Sequence, residues 1–147
     1  MTIINREPAM AIEPTEAQLL ANLTGDARTT PIIAMNLLKY WPDAQYPDDW
    51  TGPRGTGREA YGRYGIVAMQ TFTRLGGRIV AAGPVQGVFV GGQGDEGWDD
   101  FVAVHYPSRR VFEAMLADPV YQASHVHRHA GLERSVVLFC GAGFVAG

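Results

Sequence analysis

The chain has one cysteine, Cys140, so no disulfide can form within it. That suits a reducing compartment, and a cytoplasmic location is expected. No stretch approaches the roughly eighteen consecutive apolar residues that a membrane-spanning helix requires. The opening MTIINREPAMAIEP carries Arg6, Glu7 and Glu13 but no apolar core, so it does not read as a signal peptide. The 12 basic residues stand against 15 acidic ones, give a net charge of −3 and form no run. Binding to nucleic acid or to an anionic membrane surface needs a basic face, and none is visible, so neither is expected as a partner. H-E-x-x-H and G-x-S-x-G are both missing, which removes two common hydrolase signatures. The glycines at 52, 55 and 57 lack the Lys-Ser/Thr of a phosphate loop. Gly92, Gly94 and Gly97 do satisfy G-x-G-x-x-G, but the pattern leads into a strand-like run at Trp98. A dinucleotide site needs a helix there, so a hairpin turn is expected instead.

What remains is an ordinary globular composition. At 147 residues, 46% hydrophobic and 18% charged, the chain can build one core without a metal or disulfide staple. Residues 1–30 read as an N-terminal arm, loose over 1–13, followed by a short helix that Pro14, Thr15 and Glu16 open and Gly25-Asp26 closes. Residues 31–147 read as a single domain. IIAMNLLKY predicts the first strand, apolar on both alternating sets. Residues 41–57, with three prolines and three glycines, predict a long loop. Tyr61, Tyr64, Ala68, Phe72 and Leu75 recur at helical spacing and predict the main helix over 58–75. Gly62 and Gly65 in that helix are expected to let another backbone come close. Residues 78–90 predict a second strand, with Gly83-Pro84 forcing a bulge or an edge. Residues 98–106 predict a third strand. Ser108 then caps a helix, Asp118-Pro119 restarts one that runs to about Ala130, and residues 132–140 predict the last strand.

The order is an extra N-terminal helix, then β-α-β-β-α-β. That predicts an α+β, ferredoxin-like fold, a four-stranded antiparallel sheet with its helices on one face. Both faces of the first and third strands are apolar, so a second copy of the chain is expected to cover the face that the helices leave.

A few polar residues interrupt these apolar elements. Asn36 sits in the first strand and either ties to a neighbour or faces a pocket. His105 interrupts the third strand and can move a proton near neutrality, or is a satisfied core histidine. Tyr61 and Tyr64 share the stripe of the main helix and either pack in the core or turn their hydroxyls into a cavity. Arg128 can bind an acidic ligand group or pair with Glu133 or Asp118. Trp98 is a candidate for the pocket mouth or the dimer seam. As a pocket set, Asn36 and His105 are the catalytic candidates, and Tyr61, Tyr64, Trp98 and Arg128 the substrate-binding ones. No cofactor is expected. A weaker alternative is a metal held by His105, His125 and His129, the last two lying one helical turn apart.

Taken together, NLLKY at 36–40, AYGRYG at 60–65, GGRIVAAGPV at 76–85, WDDFVAVHYPSRRVFEAMLADPVYQ at 98–122 and HRHAGLERS at 127–135 look familiar. With these segments the chain resembles the DUF1330 family of the dimeric α/β-barrel superfamily, in its longer members with an extended loop after the first strand. The resemblance implies a homodimer whose two sheets pack face to face into a barrel. It implies no particular reaction, since the wider superfamily spans cofactor-free monooxygenases, isomerases of small ring compounds and haem enzymes. Two functions are therefore expected to compete. One is a small-molecule site with cofactor-independent, monooxygenase- or isomerase-like activity on an aromatic or carbonyl compound. The other is a dimer that binds a ligand, or serves structurally, without chemistry.

Overall fold

Thr15 and Thr56 start the first two α-helices by the same device. Thr15 Oγ1 accepts the Gln18 N–H at 3.1 Å, and the Gln18 side chain accepts the Thr15 N–H at 2.9 Å, which opens α1 (Glu16–Asn22). Thr56 Oγ1 accepts the Glu59 N–H at 3.1 Å and opens α2 (Gly57–Arg74). The computed structural model describes residues 11–143, without the side chains at 26 and 27.

The sheet is β1 (Ile32–Tyr40), β2 (Arg78–Pro84), β3 (Asp100–Tyr106) and β4 (Leu132–Gly141), antiparallel throughout, in the order β2-β3-β1-β4. This is the ferredoxin-like arrangement, and within one chain the sheet is open, not closed into a barrel. Between β3 and β4 run α3 (Arg109–Ala117), α4 (Pro119–Ala123) and α5 (His125–Gly131). Ser108 caps α3. The Asp118 carboxylate accepts from the Val120 and Tyr121 N–H groups at 2.9 and 3.0 Å, so the chain breaks and restarts there. The expected single segment after Asp118 is two helices, because the backbone turns again at Ser124, whose hydroxyl donates back to the Tyr121 carbonyl.

The core lies between α2, α3, α4 and one sheet face. Ile32, Ala34, Val104 and Tyr106 meet Tyr64, Ala68, Phe72, Met115 and Tyr121 there. Register fixes that face: Ile32 pairs with Tyr106 and Ala34 with Val104, and opposed residues point the same way. The alternate set, Ile33, Met35, Leu37, Phe101, Ala103, Val136 and Leu138, occupies the other face. No helix among the described residues covers it.

Four further sequence expectations change. Residues 85–90 are not strand: β2 ends at Pro84, Phe89 is fully exposed, and the connection to β3 is a long loop and not a tight hairpin. The irregularity in β2 falls between Ile79 and Ala81, not at Gly83-Pro84, although β2 is an edge strand as that pair suggested. The close backbone approach on α2 is made by Gly57, not by Gly62 or Gly65. A Cβ on Gly57 would collide with the Trp41 carbonyl oxygen, and one on Gly131 meets the Gly57 carbonyl at 2.5 Å, whereas Gly62 and Gly65 face open space. Finally, the loose arm of residues 1–13 lies outside the described residues over 1–10, and Ala11 to Glu13 are pinned in place. Ser135 N–H donates to the Ala11 carbonyl at 2.8 Å, Ile12 is buried, and Glu13 meets the His129 ring.

The loop at 41–56 is anchored too. Trp41 N–H donates to Gly131 O at 2.8 Å and Gln45 N–H to Ala130 O at 2.7 Å. Arg63 donates to the buried Tyr46 hydroxyl at 2.7 Å, so the Tyr46 proton goes to His127 Nδ1, also at 2.7 Å. Trp50 stacks on Tyr46 with centroids 4.7 Å apart. Burial, then the Arg63 charge, holds the His127 pKa below its usual value and keeps it an acceptor. This cluster ties the loop down against α2 and α5.

Candidate functional site

A cavity of about 430 Å³ opens between the helices and the sheet. That lies in the range of small-molecule sites, roughly 300–1,000 Å³. β1 and β4 supply its floor through Ala34, Asn36, Ser135, Val137 and Phe139. α2 contributes Tyr61 and Tyr64, and α3 contributes Phe112, Met115 and Leu116. Tyr121, His125 and Arg128 also line it, as do Ile12, Glu13, Gln18 and Leu19 from the N-terminal segment. The N-terminal segment is thus part of the site, a role that its lack of periodicity gave no reason to expect. α1 itself buries none of its side chains.

Asn36 faces this cavity. Its Nδ2 donates to Ala34 O at 3.1 Å and Val102 O at 3.0 Å. Both amide hydrogens are spent on backbone carbonyls, so the Oδ1 end is fixed as an acceptor on the cavity wall. The sequence left two options for this residue, a tie to a neighbour or a pocket, and the side chain does both.

Tyr64 and Tyr121 share a hydrogen bond at 2.7 Å, so these two buried phenols satisfy each other. Tyr61 packs on Tyr64 with centroids 5.2 Å apart, and its hydroxyl has no hydrogen-bond partner among the described residues. Burial, then its neighbour Tyr64, raises the Tyr61 pKa and keeps it protonated. His125 lies edge-on to Tyr121 at 4.8 Å, and its Nε2 is buried without a partner among the described residues, as is Ser135 Oγ. Burial, then the charges of Arg128 and His129, depresses the His125 pKa to about 4, so the ring is neutral near pH 7.

Arg128 pairs with no carboxylate among the described residues. Glu133 is taken by Lys39 at 3.7 Å and Asp118 by Arg74 at 2.7 Å, so neither bridge considered for Arg128 forms. One guanidinium nitrogen donates to the Ile12 carbonyl, and the group lies 5.9 Å from the Tyr64 ring centroid.

The structure leaves two candidates outside the site. His105 pairs with Ile33 across the β1–β3 ladder, which puts it on the open face, opposite Asn36. Trp98 lies under the Arg134 guanidinium at 4.1 Å, away from the cavity, and Arg134 is held by Gly94 O at 2.9 Å. Nor does the His105, His125, His129 set converge. His105 is across the sheet, His129 is against Glu13, and no group of three or more metal-ligating side chains forms among the described residues. Tyr106, Tyr121, Ser135 and Glu13 were not picked out from the sequence. Tyr106 and Tyr121 look like ordinary core aromatics, and Ser135 carries no signal beyond one polar residue in an apolar strand.

Residues 54–142 match the family model of DUF1330, described as a domain of unknown function. The chain belongs to the DUF1330 family. Among solved structures it is similar to the crystal structure of methylated RPA0582 protein, at 35% identity, with 95% of this chain and 99% of that one covered and a TM-score of 0.79. A second crystal structure is that of the RPA0582 protein of unknown function from Rhodopseudomonas palustris, a structural genomics target. It is 38% identical over 87% of this chain and 93% of that one, with a TM-score of 0.74. No curated protein matches the chain. Of the cavity of this DUF1330 protein, the matched residues hold the α2, α3, α4, α5 and β4 walls, whereas the Asn36 floor and the α1 wall precede them. No helix among its described residues is long and apolar enough to cross a membrane.

Proposed function

We propose that this DUF1330 protein binds a small organic molecule in the cavity between its helices and sheet, and does so as a homodimer. One observation carries the binding reading: an aromatic-lined cavity whose wall holds several polar groups without protein partners. Asn36 Oδ1, the Tyr61 hydroxyl and most of the Arg128 donors are unused among the described residues. A bound molecule that supplies partners to such wall groups gains about 0.5–1.5 kcal/mol per hydrogen bond. Few polar groups on an apolar wall is the arrangement that orients a ligand.

The dimer reading is supported by the open face, where Met35, Leu37, Phe101 and Leu138 form an apolar surface and Leu138 is 55% exposed. A second reading adds turnover. His125 is the imidazole on the cavity wall and the candidate proton acceptor, though its pKa of about 4 makes it a weak base near pH 7.

The test is a panel of small aromatic and carbonyl compounds, followed by calorimetry and by assay for product. Saturable binding that is abolished by Ser135→Phe, which fills the floor of the cavity, supports the reading. Binding that is indifferent to Ser135→Phe, or no binding across the panel, contradicts it. Product formation by the wild type that is lost in His125→Gln supports turnover, and binding without product leaves a ligand-binding protein.

A further inference from the structure

We infer that the ligand of this cavity is an organic acid with an aromatic or alicyclic body, and that its carboxylate is held by Arg128. The inference rests on the cavity being a small-molecule site and adds the chemical class of what fills it. One carboxylate-bearing and one guanidinium-bearing side chain line the cavity, Glu13 and Arg128, and no ion pair joins them among the described residues. Their situations differ. Glu13 Oε1 lies against the His129 ring and Glu13 Oε2 is sealed from contact, so no ligand reaches that carboxylate. Arg128 spends one of its five N–H donors on the Ile12 carbonyl, and none of the others is sealed.

A half-buried guanidinium beside the Tyr64 ring, with no carboxylate partner among the described residues, has donors free for an incoming anion. It presents a planar fork that matches a carboxylate. The neighbours agree with an incoming anion. Tyr61, Tyr64 and Tyr121 offer ring faces and edges to an apolar body, and the Tyr61 hydroxyl, unpartnered among the described residues, adds a donor. Asn36 Oδ1 is an acceptor, so it suits a hydroxyl on the ligand body and not the carboxylate. The charged end of the ligand therefore belongs at Arg128 and any hydroxyl at Asn36.

The experiment is a calorimetric comparison of matched pairs: benzoate, 3-phenylpropanoate and cyclohexanecarboxylate, each against its primary amide. The acid and amide have nearly the same shape and differ in charge. With the wild-type chain the acid of at least one pair is expected to bind about ten- to a hundredfold tighter than its amide, the worth of a charge-assisted hydrogen bond. Arg128→Gln is expected to erase that preference by weakening the acid more than the amide, and Arg128→Lys to retain part of it. If the amides bind as well as the acids, the acid class is wrong while the cavity remains a ligand site. If neither series binds, both readings fall. Because the wild-type comparison needs no variant, a misfolded Arg128→Gln protein does not blunt the test.

Discussion

Asn36 on β1 and His105 on β3 point to opposite faces of the same sheet. Asn36 pairs with Val102 and His105 with Ile33, three residues earlier in β1, and an odd separation in a strand reverses the side. One small molecule cannot touch both. Asn36→Leu is expected to weaken binding of a hydroxylated ligand by about tenfold. His105→Gln is expected to leave that affinity within about twofold, as for a residue that makes no contact with the ligand. Titration of the two variants with one hydroxylated aromatic acid checks this.

His125 makes stability fall in acid. It is faced by Tyr64 from α2, Tyr121 from α4, Glu13 from the N-terminal segment, and Arg128 and His129 from its own helix. Its pKa is depressed from 6.5 to about 4, so between these values the unfolded chain binds more protons than the folded one. Stability is therefore fully present above about 6.5 and declines as pH falls toward 4. With allowance for partial solvent exposure, the loss is on the order of 1–2 kcal/mol. Urea denaturation at a series of pH values is expected to show this slope in the wild type and a shallower one in His125→Gln.

The glycines of α2 divide sharply. Gly57→Ala drives a methyl into the Trp41 carbonyl and separates α2 from α5, at a cost of about 3 kcal/mol or more. Gly62→Ala and Gly65→Ala place a methyl in open space within a helix and are each expected to stabilise by about 0.5–1 kcal/mol. Denaturation midpoints of the three variants should separate in those directions.

The bare sheet face predicts a two-chain particle. Light scattering coupled to size exclusion is expected to give the mass of two chains for the wild type. Leu138→Glu, a charge set in the middle of the apolar face, is expected to give the mass of one. A single-chain mass for the wild type removes the dimer from the account.

The fold was legible because its signals are local and repeated. Alternation in IIAMNLLKY, the stripe through Tyr64, Ala68 and Phe72, and the caps at Thr15 and Ser108 each specify an element without reference to the rest of the chain. The cavity was half legible. Asn36, Tyr61, Tyr64 and Arg128 stood out as polar or aromatic residues on apolar elements, and all four line it. His105 stood out for the same reason but faces away, because parity between two strands depends on a register that neither strand alone reveals. Trp98 lies away from the cavity because its neighbour is Arg134, far away in sequence. Glu13 and Ile12 were passed over because a segment without regular structure has no periodicity to read, and its place is fixed by bonds to Arg128, His129 and Ser135.

The most direct measurement is a crystal structure of the protein soaked with a mixture of small aromatic compounds, acidic and neutral. The account predicts a bound molecule between Tyr61, Asn36 and Arg128, with its ring against the tyrosines. A cavity closed by its own side chains, or a compound bound only elsewhere on the surface, would contradict it.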